Sequence, residues 1–121
     1  MSDSQSFDFA SLVERINEQN REHVVLCAQR KERALAEAHR LAQLLKGDIS
    51  VTRVWGFGST FEESRPYHEH SDIDLAIEGG DFYRAVSLVS ASEFKVDLVD
   101  ITNRDDFFAQ SIRKLGKLLT Y

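Results

Sequence analysis

The sequence has little of what secreted and membrane proteins need. It contains one cysteine, Cys27, which excludes an internal disulfide. No apolar run approaches the roughly 18 residues of a membrane span. The start of the chain has no apolar stretch with a basic beginning and a small-residue cleavage site. These absences predict a cytoplasmic protein without a membrane partner.

A surplus of positive charge is also missing. Fifteen Lys and Arg stand against twenty Asp and Glu, which gives a net charge of −5. Binding to nucleic acid without sequence preference depends on a surplus of Lys and Arg, so this class of function is excluded. The 42% of hydrophobic residues excludes a disordered chain, and 121 residues are enough for a single domain over 1–121.

The first third of the chain is predicted to be helical. It has no Gly or Pro between residues 7 and 46, and its apolar residues recur at helical spacing. A polar stretch at 17–23 interrupts the apolar stripe, so we predict two helices within an N-terminal part over 1–47. These helices either cover one face of a sheet or present an apolar stripe to a partner. The small size of the domain favours a partner or an oligomer.

The remainder, 48–121, is predicted to alternate strands with helices. Near alternation of β-branched and polar residues indicates strands at 49–56, 72–77 and 94–101. A short helix is predicted at 81–92 and a longer one from about 103, with apolar residues through Leu119. The order α, β, β, α, β, α predicts an α/β (α+β) fold with a small mixed sheet and helices mainly on one side.

Three acidic residues in two of these strands point to metal chemistry. Asp72 and Asp74 stand two apart, so their side chains leave a strand on the same face about 6.5–7 Å from each other. Asp97 lies among apolar residues of the third strand. Clustered carboxylates are costly without cations, and carboxylates together with substrate phosphates are a usual Mg²⁺ environment. Upstream, Gly58 and Ser59 follow the first strand, where a glycine and a hydroxyl suit a phosphate.

Several residues have plainer interpretations. The two aspartates of the second strand could form a polar outer face of the sheet. Asp100 lies on the opposite face from Asp97, which favours a role at a strand end or turn. The His-Glu-His sequence at 68–70 resembles a metal site, but a solvated loop is the better interpretation because no further ligand follows at fixed spacing. Trp55 and Phe57 are predicted to pack in the core.

Taken in order, Gly58-Ser59, Asp72-Ile73-Asp74 and Asp97 resemble the signature of the minimal nucleotidyltransferases of the DNA polymerase β-like superfamily. The resemblance covers about residues 50–121. The close of the chain, with isoleucine, glycine, leucine and tyrosine at 112, 116, 119 and 121, is similar as well. The loop at 60–71 is about two residues longer than the common form of the family. Thr60-Phe61 stands where many members carry an arginine.

The resemblance implies a polymerase β-like palm in a catalytic core over 48–121. It implies transfer of a nucleotide from ATP to an acceptor hydroxyl, with two Mg²⁺ ions. Asp72 and Asp74 would bridge both metal ions, and Asp97 would complete one site and could accept the proton of the acceptor. Gly58 and Ser59 would hold the β- and γ-phosphates.

Single-domain members of this family are often antitoxins. The resemblance therefore implies an antitoxin that attaches AMP to a HEPN-domain RNase toxin and so neutralises it, in a homo- or hetero-oligomer. One alternative is transfer to a small hydroxylated molecule such as an aminoglycoside. The other is a binding module that neutralises its partner by occlusion, without catalysis.

Overall fold

The computed structural model describes residues 9–62, 67 and 71–120. None of the helices within these ranges is long and apolar enough to cross a membrane. The elements alternate much as the sequence predicts, with one strand more. They are α1 (Phe9–Ile49), β1 (Arg53–Phe57), β2 (Ile73–Glu78), α2 (Phe82–Val89), β3 (Val96–Asp100), α3 (Phe107–Leu115) and β4 (Lys117–Thr120).

The N-terminal part is one helix of 41 residues, and the prediction of two helices is wrong. The polar stretch at 17–23 interrupts the apolar stripe, but its Glu, Gln and Arg residues are good helix formers and nothing in it breaks the backbone. The helix continues through Gly47 and ends at Ile49, before Ser50 turns the chain with a φ of 55°. As a consequence, β1 begins at Arg53, later than predicted.

The sheet is mixed, as predicted, with the strand order β3-β2-β1-β4. β1 is antiparallel to both of its neighbours, and β2 runs parallel to β3. The register places Asp74 of β2 opposite Phe57 of β1 and opposite Asp97 of β3. The side chains of residues directly opposite each other lie on the same face of a sheet. Phe57, Asp74 and Asp97 therefore form one row across three strands.

The helices divide between the two faces of the sheet. α1 and α2 pack on one face and form the larger apolar core with the strands. Its fully buried members include Leu41, Leu45, Ile73, Leu75 and Ile77. α3 packs on the other face over a smaller cluster that includes Trp55, Phe57, Ala76, Val99 and Ile112. Most of the helical cover therefore lies on one side, in agreement with the prediction.

The C-terminal helix is shorter than predicted. α3 begins only at Phe107, where Asp106 caps it, and it ends at Leu115. Gly116 then adopts extended angles, and residues predicted to be helical, including Leu119, form β4 against β1. A Cβ on Gly116 would lie 2.5 Å from the carbonyl oxygen of Ile112, so this sharp change of direction requires glycine. Pairing with the edge of β1 overrides the helical spacing of the apolar residues.

Candidate functional site

The predicted acids meet at one end of the sheet. There β1 ends, β2 begins and β3 begins, and Asp74 and Asp97 lie opposite each other in the parallel pair. Adjacent strands are about 4.7–4.9 Å apart. Asp72 lies just before β2, two residues from Asp74 and thus on its face of the sheet. Asp72 and Asp74 are half-buried, and Asp97 is exposed.

The Gly58 turn contacts one of these acids directly. Gly58 has a φ of +78°, and a Cβ added to it would lie 2.3 Å from Oδ2 of Asp74. Its carbonyl oxygen accepts hydrogen bonds from the amides of Phe61 (3.0 Å) and Glu62 (3.1 Å), which closes a tight turn. Only a residue without a side chain fits between this turn and the carboxylate. The glycine-serine pair therefore lies beside the acids, and Ser59 is half-buried. In sequence, the twelve residues 60–71 separate the pair from Asp72.

Thr60 holds this turn against β2, a role that the sequence did not reveal. Its side chain is fully buried, and its hydroxyl donates to the carbonyl oxygen of Asp72 at 3.2 Å. The ring of Phe61 packs over Gly56, where a Cβ would lie 2.3 Å from the ring. In the sequence, Thr60 and Phe61 are distinguished only by their departure from the family pattern. In this chain, they anchor the turn.

Lys95 is a second residue of the site that the sequence motifs do not include. Its Nζ lies 3.7 Å from Oδ2 of Asp72, and its carbonyl oxygen accepts the amide of Ile73 at 3.0 Å. The lysine side chain is 74% exposed, so the ion pair is weak in free energy. Lys95 thus brings one positive charge to the acids at this end of the sheet.

The donor chemistry fits Mg²⁺, which prefers carboxylate oxygens. As the side chains lie, however, the part of the chain that the structure describes contains no group of three or more His, Cys, Asp or Glu residues gathered as a metal site. The carboxylate of Asp72 faces Lys95, and that of Asp74 faces Gly58. The backbone brings the three acids to one end of the sheet, while the carboxylates of Asp72 and Asp74 contact different neighbours.

A cleft of about 220 Å³ opens beside the Gly58 turn. Its walls come from the end of β1, from α3 and from the start of β4. The rings of Phe57 and Phe108 meet edge to face there, with centroids 5.9 Å apart. The cleft therefore offers an apolar aromatic surface next to a polar, acidic one.

The other residues singled out from the sequence lie where their plainer interpretations place them. Asp100 ends β3 and accepts the amide of Thr102 at 2.9 Å, so it shapes the turn, as predicted. Trp55 packs in the smaller cluster, as predicted, and donates its indole N–H to Glu78 at 3.0 Å. The predicted loop at 68–70 and the residue at 121 lie outside the described residues.

No protein-family model matches the chain, and a search of curated proteins finds no significant match. Among solved structures, the chain is similar to one of the toxin–antitoxin pair MntA–HpeT, in a mutant with two aspartates changed to glutamate. The identity is 27%, the match covers 68% of this chain and 70% of the other, and the TM-score is 0.51. The α+β fold and the resemblance to minimal nucleotidyltransferases are thereby confirmed: the chain has the fold of the antitoxin MntA.

Proposed function

We propose that this chain is a Mg²⁺-dependent nucleotidyltransferase that moves AMP from ATP to a hydroxyl group of a partner protein. The partner would be a HEPN-type RNase toxin, and the modification would neutralise it in the cytoplasm. One observation carries this proposal. The Gly58 turn lies against the carboxylate of Asp74, which is itself opposite Asp97 in the next strand.

The similar structure supports two parts of the proposal, the toxin partner and the pair of acidic residues. It contains a toxin together with its antitoxin, which supports a toxin as the partner of this chain. Its two Asp-to-Glu changes are two positions apart, the spacing of Asp72 and Asp74 here. An Asp-to-Glu change keeps the negative charge and lengthens the side chain, so it tests whether the position of the carboxylate matters.

In the proposed site, Asp72, Asp74 and Asp97 would hold Mg²⁺. Bound Mg²⁺ ions neutralise charge on the phosphates and on the attacking and leaving oxygens. Gly58 lets the backbone approach the phosphates closely, and the Ser59 hydroxyl donates a hydrogen bond to them. Thr60 keeps this turn fixed to β2 through its bond to the carbonyl of Asp72.

The transfer is a single displacement. The acceptor oxygen forms a bond to the α-phosphorus, and the bond from that phosphorus to the bridging oxygen breaks. Pyrophosphate leaves with the electron pair. Asp97 takes the proton of the acceptor hydroxyl as general base, a role that suits the most exposed of the three carboxylates.

The test is transfer of label from α-³²P-ATP with Mg²⁺ to any protein encoded beside this chain, each purified, with a HEPN-domain protein as the expected acceptor. The wild type is compared with an Asp72→Asn, Asp74→Asn double variant. We expect labelling to fall more than about 100-fold, since even the outer partners of metal ligands cost 10–100-fold. A Glu22→Gln, Glu32→Gln variant removes the same charge from exposed positions of α1 and should label as the wild type does.

Occlusion without catalysis is a second candidate, favoured by the ion pair between Lys95 and Asp72 and by the separated carboxylates. The same experiment separates the two functions. If the double variant still neutralises the toxin while no label moves, the chain acts by occlusion. If label moves to a small hydroxylated molecule and never to the protein, the acceptor class in the proposal is wrong.

A further inference from the structure

Lys95 and the three acids of the candidate site form a rectangle at the end of the sheet. The register of β2 and β3 sets Asp74 opposite Asp97. Continued two residues earlier, the same register brings Asp72 opposite Lys95, and the amide of Ile73 donates to the carbonyl oxygen of Lys95 at 3.0 Å. Side chains two apart in a strand lie on the same face, so all four project from one face of the sheet. The rectangle measures about 4.8 Å between the strands and about 6.6 Å along them.

The ammonium group of Lys95 lies against one acid of this rectangle. Its Nζ is 3.7 Å from Oδ2 of Asp72. The side chains of the lysine and the aspartate are 74% and 30% exposed, so the ion pair is in contact with solvent. An exposed ion pair adds little to the stability of a fold. This pair therefore affects the charge beside the Asp72 carboxylate more than it affects folding.

A metal ion and the Lys95 ammonium group compete for the same carboxylate. Mg²⁺ takes carboxylate oxygens as ligands, and Asp72 is one of the acids proposed to hold it. Two cations beside one carboxylate repel each other, and the repulsion is strong at distances of a few ångströms. The ion pair with Lys95 therefore lowers the affinity of Asp72 for a metal ion.

Bound phosphates offer the ammonium group of Lys95 a second position. Its backbone is held by the hydrogen bond from Ile73, whereas its side chain is a long, flexible stem that moves independently. Lysine is a common ligand of phosphate groups. The phosphates are proposed to lie at the Gly58 turn, which packs against Asp74, the neighbour of Asp72 in the rectangle. The phosphates therefore attract the ammonium group away from Asp72 and towards the turn.

Given the proposed Mg²⁺-dependent transfer, on which this inference rests, we infer that Lys95 is an exchangeable cation of the site. Its ammonium group pairs with Asp72 when no nucleotide is bound, and it turns to the phosphates when nucleotide and metal bind together. Lys95 thereby weakens the binding of a metal ion alone and strengthens the binding of a metal ion with nucleotide. Because coupling between two ligands is reciprocal, it also makes nucleotide affinity more dependent on metal.

The test is the affinity of the full-length chain for two probes, free Mn²⁺ and the complex of Mn²⁺ with α,β-methylene-ATP, which cannot transfer AMP. Mn²⁺ takes the same oxygen ligands as Mg²⁺. Electron paramagnetic resonance measures the bound fraction of free Mn²⁺, and calorimetry measures binding of the complex. We expect Lys95→Met to bind free Mn²⁺ about two- to fivefold more tightly, the range of an exposed ion pair.

Lys95→Met should bind the complex more weakly, by about the same factor, since phosphate groups carry more negative charge than one carboxylate. A partly unfolded variant binds both probes more weakly, so changes in opposite directions identify the exchange.

Three variants serve as controls. Lys95→Arg keeps the positive charge and should bind free Mn²⁺ as the wild type does. Lys114→Met removes the same charge from an exposed position of α3 and should leave both affinities unchanged. The Asp72→Asn, Asp74→Asn double variant should bind neither probe, which assigns the bound Mn²⁺ to the acids.

The outcomes separate the role of Lys95 from the proposed function. A wild type that binds neither probe, or a double variant that binds both as the wild type does, contradicts the proposed function and the role of Lys95 with it. If the wild type binds the complex and the double variant does not, the proposed site stands. In that case, the role of Lys95 alone is overturned when Lys95→Met binds free Mn²⁺ no more tightly, or the complex no more weakly, than the wild type.

Discussion

The two faces of the sheet serve different purposes. The face under α1 and α2 is mainly apolar, and its strand residues Ile73, Leu75 and Ile77 are fully buried. The opposite face is apolar only under α3, and beyond that helix it carries Asp74 and Asp97. The alternation of a strand thus lets β2 contribute to the core and to the site with neighbouring residues. Stability comes mainly from one face, which leaves the end of the other free to hold acids.

The largest effect should follow from a change on the packed face. Leu41→Ala removes a fully buried side chain of α1 from the larger core. We expect a loss of about 2–5 kcal/mol in the free energy of unfolding, measured by urea denaturation, because a cavity remains. Val25→Ala, at an exposed position of the same helix, should change this free energy by less than about 0.5 kcal/mol. Equal losses in both variants would contradict the assignment of this face as the main source of stability.

A smaller loss of stability, but a complete loss of transfer, should follow from Gly58→Ala. The new Cβ would lie 2.3 Å from Oδ2 of Asp74, and a φ of +78° disfavours alanine. We expect the free energy of unfolding to fall by about 1–2 kcal/mol, and labelling of the acceptor to stop because Asp74 is displaced.

Gly47→Ala is the control for this change. A Cβ at Gly47 meets nothing within 4 Å, and the residue lies within α1. It should leave labelling intact and raise the free energy of unfolding by up to about 1 kcal/mol. If Gly58→Ala labels the acceptor as well as Gly47→Ala does, the contact between the turn and Asp74 has no part in transfer.

The smallest effect concerns Glu37, which fastens α1 to the segment after α2. Its carboxylate accepts from Arg40 at 2.6 Å and from the hydroxyl of Ser92 at 2.5 Å. The hydrogen bond from Arg40 lowers the pKa of Glu37 below its usual 4.5, with a further contribution from Ser92. A lowered folded-state pKa stabilises the protein above pH 4.5, and this contribution disappears as pH falls through the folded-state value.

Glu37→Gln should therefore cost less than about 1 kcal/mol at neutral pH, and less still in acid. Thermal unfolding of the variant and the wild type across this pH range measures the difference. Glu18→Gln is the control, because its ion pair with Arg21 is long at 3.9 Å and well exposed. A Glu37→Gln difference that grows as the pH falls would contradict the assigned cause.

Patterns that act within a strand were predictable from the sequence. The period of two placed Asp72 and Asp74 on one face, and the mixed sheet was predicted from the order of elements. Choices that depend on distant neighbours were not predictable. The continuity of α1 follows from backbone propensity and not from its apolar stripe. β4 forms because β1 offers a free edge, which outweighs the helical spacing through Leu119.

The residues of the candidate site also divide into those that the sequence predicts and those that it does not. Gly58 and the three acids stand out because glycine and carboxylates suit phosphates and cations at any such location. Thr60 and Lys95 do not stand out, because a hydroxyl or an ammonium group becomes informative only through the atom it contacts. Here those atoms are the carbonyl oxygen and the carboxylate of Asp72, which belong to another element of the fold. Sequence spacing alone does not identify such contacts.

The position of β3 at the edge of the sheet has a consequence for solubility. An edge strand exposes unpaired amide and carbonyl groups, to which a strand of another molecule can add. β3 is short, and Asp97 places an exposed charge in the middle of its apolar residues. That carboxylate repels an incoming strand, so the proposed catalytic acid also guards against aggregation. Loss of Asp97 would remove the proposed metal ligand and this guard together.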